Sequence, residues 1–185
     1  MKEVIAIILA SGKGTRFGKP KAEVDYKGVS FLDRITATLK EAGVQKIYVA
    51  QDYETPDMLA TLKHAVAELS KGWIPASAGK TSSPEQSNYS YTGYLIFPVD
   101  FPFVQTETIK TIVEAHYKHP KAIIRPCYYG FCGHPIVIPS DLDLQANDHG
   151  KGLKGLISFC GKPVIDIQVH DEGIHKNINF QKDLL

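Results

Sequence analysis

Apolar residues follow two distinct patterns along this chain. Val4 to Leu9 is an unbroken apolar run bounded by loop residues, the mark of a parallel strand buried on both faces rather than an alternating edge strand. From Phe31 the period changes: Phe31, Leu32, Ile35, Leu39 and Ala42 recur at three- and four-residue steps, with Gly43 as a stop, which predicts an amphipathic helix. Lys46 to Ala50 predicts a second strand, and Met58, Leu59, Leu62, Ala65, Val66 and Leu69 mark a second helix ended near Gly72. Trp73 to Pro75 reads as a short third strand. Ala76 to Thr92 is then crowded with Ser, Gly, Pro, Asn and Tyr and has neither period, and a loop of that length is usually functional or mobile. Tyr94 to Val99 is another buried strand, with Pro98 at its carboxyl end because proline cannot donate to a ladder.

The second half continues the alternation. Thr106 to His116 is helical with Thr106 as its cap, and Ala122 to Arg125 and Pro135 to Ile138 are strands around a turn at Tyr129 to Gly133. A short helix near Gly152 to Phe159 precedes a strand from Val164 to Val169. Strand and helix in this order predict an α/β fold with a mainly parallel sheet covered by helices on both faces, and ligands beyond the carboxyl ends of its strands. Without an internal repeat or low-complexity linker, residues 1–185 are expected to form a single domain.

Composition narrows the function classes. The chain carries 21 Lys+Arg against 20 Asp+Glu, a formal charge of +1, which gives no electrostatic argument for nucleic acid or an anionic membrane surface. Val4 to Ala10 is too short to cross a bilayer and has no small-residue cleavage site behind it, so neither span nor signal peptide is expected. Three cysteines, Cys127, Cys132 and Cys160, form no CxxC pair and fit free thiols in a reducing, cytoplasmic compartment.

The chemistry is expected directly after the first strand, in LASGKGTRFGKPK from Leu9 to Lys21. Three glycines let backbone N–H groups approach a ligand closely, while Lys13, Arg16, Lys19 and Lys21 supply charge, so the segment reads as a phosphate-binding loop. It is not a P-loop: five residues separate Gly12 from Gly18, and Pro20 stands where that motif needs a magnesium-holding hydroxyl. Nor is it a dinucleotide fingerprint, because Gly12-x-Gly14 is followed by three residues before Gly18.

This segment resembles the opening motif of the MobA/MocA-like nucleotidyltransferases, approximately LAxGxGxRMGxxK, with Phe17 in place of the usual methionine. The resemblance implies a three-layer α/β/α, Rossmann-like fold with a mostly parallel mixed sheet, similar to nucleotide-diphospho-sugar transferases. It also implies transfer of a nucleoside monophosphate from an NTP to a phosphorylated small-molecule acceptor such as molybdopterin, with Mg2+ as cofactor. On the matching positions, Leu9, Ala10, Ser11, Gly12, Lys13, Gly14 and Thr15 would contact the nucleotide, and Arg16 and Lys21 would hold its triphosphate. Asp100, in the stretch Val99-Asp100-Phe101-Pro102-Phe103-Val104, is similar to the family's DxPxV and would bind the metal; the alternative is a turn or a helix cap.

Arg125 to Pro135 is similar to the P-x-Y-x-G-x-x-GHP stretch of the cytidylyltransferase-like branch, which implies that Gly133 and His134 lie beside the acceptor. Gly150 to Leu156 loosely resembles the family's GxxGxRxLL. Asn177 to Leu185 resembles its closing DIDTPEDL, but asparagines replace both leading aspartates. Asn179 or Asn177 could complete the metal site through a neutral amide oxygen. The altered 76–92 loop leaves the base open and also allows a nucleotide-binding module with weak transfer. Sugar-1-phosphate and polyol-phosphate acceptors are the alternatives within the transferase class. A DxD form at Asp141-Leu142-Asp143, as in glycosyltransferases, sits in a loop and reads as a cap or turn.

Overall fold

A computed structural model describes residues 3–11, 19–51, 53–71 and 91–184. Among them, no helix is long and apolar enough to cross a membrane. The strands among the described residues are β1 (Glu3–Leu9), β2 (Asp25–Tyr26), β3 (Val29–Ser30), β4 (Ile47–Ala50), β5 (Tyr91–Pro98), β6 (Ile123–Tyr128), β7 (Phe131–Cys132), β8 (Ile136–Pro139) and β9 (Val164–Gln168). The helices are α1 (Phe31–Glu41), α2 (Met58–Ser70), α3 (Thr106–Lys118) and α4 (Gly152–Phe159), with single 3-10 turns at Lys21–Glu23, Glu172–Ile174 and Gln181–Leu184. The expected strand at Trp73 to Pro75 and most of the 76–92 loop lie outside the described residues.

Seven strands form one sheet in the order β4-β1-β5-β8-β6-β7, with β9 on the far side of β6, and β2 and β3 form a separate small hairpin. β4, β1 and β5 run parallel, β8 is antiparallel to both β5 and β6, and β9 runs parallel to β6. This is the mixed, mostly parallel sheet anticipated above. The unbroken run of β1 makes physical sense in this place. Its alternate residues Val4, Ala6 and Ile8 join one core with α1 and α3, while Ile5, Ile7 and Leu9 join a second core with α2 and α4. Each strand residue therefore faces a helix layer whichever way it points, giving three layers.

Helix starts follow side-chain capping in two cases. Ser30 accepts from the Asp33 N–H at the start of α1, and Asp57 accepts from Ala60 N–H at the start of α2. The third differs from expectation. Thr106 does not cap α3: it is the first helical residue, and its hydroxyl donates to Glu41 at 2.9 Å. The entry to α3 is held instead from a distant segment. The carboxylate of Asp171, 2% exposed, accepts from Gln105 N–H at 2.8 Å, the Thr108 hydroxyl at 2.7 Å and Gly173 N–H at 2.8 Å.

The cysteines also depart from the expectation of three free thiols. Cys127 on β6 faces Cys132 on β7 directly across the hairpin and the two are joined in a disulfide, leaving Cys160 as the free thiol. The register of a tight hairpin places the two side chains opposite one another, a proximity that a search for CxxC spacing overlooks.

Candidate functional site

Parallel pairing brings the chemistry to one edge of the sheet. Leu9 and Pro98 are register partners, so the segments leaving β1 and β5 emerge side by side. β8 starts at Ile136, opposite Ile96 of β5, so the residues just before it reach the same edge. The phosphate-loop candidates Gly12, Lys13, Gly14, Thr15 and Arg16 lie outside the described residues. The flanks of that loop are described.

On its leading flank, Leu9 and Ala10 are buried, and their backbone prolongs the sheet: Val99 N–H donates to Leu9 O at 3.1 Å and Ala10 N–H to Ala50 O at 2.8 Å. The Ala10 N–H is thus engaged within the fold. Ser11 is tied to α2, its hydroxyl 2.8 Å from that of Thr61, which lies 2.6 Å from Thr55 Oγ1. On the trailing flank, Pro20 leads into the 3-10 turn, and buried Ala22 and Val24 anchor it in the core. Ala10, Pro20, Ala22 and Gln51 border a cavity of about 480 Å³ at the loop's base.

Lys21 projects from this anchored turn into the gap between β5's exit and the C-terminal segment. Its Nζ lies 2.7 Å from Asn179 Oδ1 and 3.4 Å from Asp100 Oδ2, with the Lys21 and Asp100 side chains only 17% and 20% exposed. One backbone bond explains the meeting: Ile178 N–H donates to Asp100 O at 2.8 Å, and Ile178 is buried. That contact places the next residue, Asn179, beside the Asp100 carboxylate and leaves Asn177 exposed. Asp183 fixes the same segment by accepting from the N–H groups of Asn179 and Phe180, and these bonds hold its carboxyl below the usual range. The turn reading of Asp100 therefore holds for its backbone, while its side chain belongs to a three-residue cluster. A carboxylate oxygen and an amide oxygen gathered around one ammonium form a hard-oxygen donor set already accommodating a cation, so these residues fit a small divalent metal.

His134 is half-buried at the same edge, its ring 5.2 Å from that of Phe101. Burial pushes its imidazole pKa below the ordinary value, with the Asp100 carboxylate pulling the other way, and Nδ1 has no partner among the described residues. The His134–Pro135 peptide is cis, and His134 N–H donates to Ile174 O at 3.1 Å. Gly133 has a packing reason to be glycine, because a Cβ there would lie 2.1 Å from Ile174 O. Sequence reasoning missed Asp171, which ties the 171–174 turn to the start of α3, since a lone Asp-Glu-Gly carries no motif.

A family model for the MobA-like NTP transferase domain matches residues 6–164. The chain belongs to this family. Among curated relatives, a probable molybdenum cofactor guanylyltransferase from Bacillus cytotoxicus is 34% identical over 116 residues, covering 60% of this chain and 56% of that protein. The chain thus spans little more than half the length of that relative. Among solved structures, Rv0371c from Mycobacterium tuberculosis H37Rv superposes on this MobA-like domain with a TM-score of 0.71 at 19% identity, covering 98% and 95% of the two chains, and is also known as a complex with manganese. The 2-C-methyl-D-erythritol 4-phosphate cytidylyltransferase from Thermus thermophilus gives 0.67 at 18% identity over 98% and 95%. The MobA-like domain therefore has the α/β fold of the nucleotide-diphospho-sugar transferases.

Proposed function

We propose that this MobA-like domain transfers a nucleoside monophosphate from an NTP to a phosphorylated acceptor in a magnesium-dependent reaction. The observation carrying this reading is the Lys21–Asp100–Asn179 cluster, set at the carboxyl ends of β1 and β5 immediately after the glycine- and lysine-rich loop. An oxygen of the acceptor phosphate bonds to the α-phosphorus, the bond between that phosphorus and the bridging oxygen to the β-phosphate breaks, and pyrophosphate leaves with the electron pair. An acceptor phosphate is already an anionic nucleophile, so no general base is needed. The chain's work is orientation and charge neutralisation. Arg16 and Lys21 hold the triphosphate, Lys21 turning from Asn179 toward the phosphates, and Gly12 to Thr15 supply backbone N–H groups. Asp100 and Asn179 would hold magnesium, which when bound neutralises phosphate charge. Gly133 and His134 border the acceptor.

The name of the Bacillus relative supports a phosphorylated pterin, molybdopterin, as acceptor and GTP as donor, with CTP the other candidate and sugar-1-phosphates or polyol phosphates the competing acceptors. The asparagine at 179 favours one second reading, a nucleotide-binding module with weak transfer. The test is pyrophosphate release from GTP, CTP, UTP and ATP with magnesium and a panel of these acceptors, alongside thermal shifts with each nucleotide. Release that falls at least about a hundredfold in Asp100→Asn, with an unchanged melting temperature, supports the transferase and the role of Asp100. Undiminished turnover in that variant removes Asp100 from the mechanism, and nucleotide stabilisation without release from any donor supports the binding module.

A further inference from the structure

Three hydroxyls meet where the candidate phosphate loop begins. Thr61, 1% exposed in the first turn of α2, has its Oγ1 2.8 Å from Ser11 Oγ, 2.6 Å from Thr55 Oγ1 and 3.1 Å from Asp57 O. Each contact needs one proton, and the three hydroxyls supply three. Asp57 O is a carbonyl and can only accept, so Thr61 donates to it, and the protons of the other two contacts come from Thr55 and from Ser11. Any other assignment sets two bare oxygens against each other. The Ser11 proton is therefore committed to Thr61, and only lone pairs are left for a ligand. Ser11 is half-buried at the carboxyl end of β1, and its hydroxyl has no other partner among the described residues. An ionised phosphate oxygen also offers only lone pairs and gains nothing from such a group. A ribose hydroxyl or a base N–H brings the missing proton.

We infer that the Ser11 side chain contacts the nucleoside rather than the phosphates, accepting a hydrogen bond from a ribose hydroxyl or a base N–H, and that Thr61 is the positioning residue that holds it as an acceptor. Position 11 is left open in the family's opening motif, so the contact belongs to this chain and not to the motif. The inference rests on the loop's reading as a nucleotide site. Calorimetry in the presence of magnesium tests it with GTP, CTP and inorganic triphosphate, which has the phosphates and no nucleoside. Ser11→Ala and Thr61→Val should each weaken binding of the NTP about fivefold, the loss of one hydrogen bond, and leave triphosphate affinity unchanged. Thr61→Ser should bind as the wild type does, and Ser11→Ala/Thr61→Val should lose no more than Ser11→Ala, because Thr61 acts through Ser11. If Thr61→Val does not fold, the Ser11→Ala comparison decides alone. Repeating it with the 2′,3′-dideoxy nucleotide separates the two sources: the Ser11 effect vanishes there if a ribose hydroxyl is the donor and persists if a base N–H is. An equal loss for NTP and triphosphate, no loss in Ser11→Ala, or a wild-type chain that binds no NTP or no triphosphate overturns the inference. If the selective loss is found yet no NTP gives pyrophosphate release, the Ser11 contact stands and the transferase reading fails; release without the selective loss keeps the transferase and removes the contact.

Discussion

Asp171 is the residue whose loss should cost this fold most for the smallest change in volume. Its carboxylate is 2% exposed and collects three donors: Gln105 N–H at the entry to α3, the Thr108 hydroxyl one turn later, and Gly173 N–H in its own turn. Asp171→Ala leaves two backbone N–H groups without an acceptor, while the Thr108 hydroxyl can rotate. At about 1–3 kcal/mol for each orphaned donor, the expected loss is about 4 kcal/mol. Removing a negative charge from the positive end of α3 adds to it. In a domain of this size each kcal/mol moves the melting temperature by about 2–4 °C, so a drop of about 8–16 °C is expected. Asp171→Asn keeps the shape but turns an amide NH2 toward one of the donors, and should lose about half as much. Urea unfolding of the three proteins measures this as a shift in midpoint at unchanged slope. A loss below about 1 kcal/mol in Asp171→Ala would show that water replaces the carboxylate, and that the distant clamp on α3 is not what holds the 171–174 turn.

Three further outcomes follow from the same kind of reasoning. Burial lowers the His116 pKa, partly countered by the Thr92 backbone, so the unfolded chain takes up this proton at a higher pH than the native protein. Stability should therefore be fully present above about pH 7 and decline as pH falls through the unfolded histidine value near 6.5 toward the lower native one, and His116→Leu should flatten that decline in pH-dependent melts. Reducing the Cys127–Cys132 disulfide, which closes a loop of sequence separation 5, should cost about 2 kcal/mol. The Cys127→Ser/Cys132→Ser variant should melt at that lower temperature with or without reductant, and a wild-type melt indifferent to reductant would contradict the pairing. Gly133→Ala should push the hairpin off Ile174 O, seen as a loss of hydrogen-exchange protection at His134 N–H; unchanged protection would mean that the 172–174 turn yields instead.

What could be read from the chain alone was whatever depends on neighbours in sequence. The apolar run of β1 announced a strand between two helix layers because both faces of it had to be filled, and the three-four spacing from Phe31 announced α1 for the complementary reason. Pro98 fell at the end of β5 because a proline there costs no ladder bond. The strand around Ile136 was legible, but not its antiparallel run between β5 and β6, since local pattern does not encode direction. Asp171 and the choice between Asn177 and Asn179 were illegible for one shared reason. Each is decided by a backbone bond between segments far apart in sequence, Asp171 by Gln105 N–H and Asn179 by the bond from Ile178 to Asp100.

That dependence on distant backbone bonds explains how the cluster can be built from a tail with little pattern of its own. The 171–183 segment contributes few buried apolar side chains, chiefly Ile174 and Ile178, yet its backbone touches each part of the site edge: Ile174 O receives His134 N–H, Ile178 N–H reaches Asp100 O, and Asp183 secures Asn179. Removing a side chain at 179 would delete one oxygen donor, whereas loosening the segment would misplace the donor at 100 and the hairpin at 134 together. A small displacement in such a set costs more than the loss of one contact, because charge stabilisation depends on all donors converging on one point. The tail thus acts as a strap, and its neutral asparagine leaves Asp100 as the carboxylate paired directly with Lys21 in the cluster. In the proposed reaction, one carboxylate rather than two would leave most of the attraction for a divalent cation to the nucleotide's own phosphates, so magnesium affinity is expected to rise when NTP is present, and calorimetric titration of magnesium with and without NTP checks this coupling.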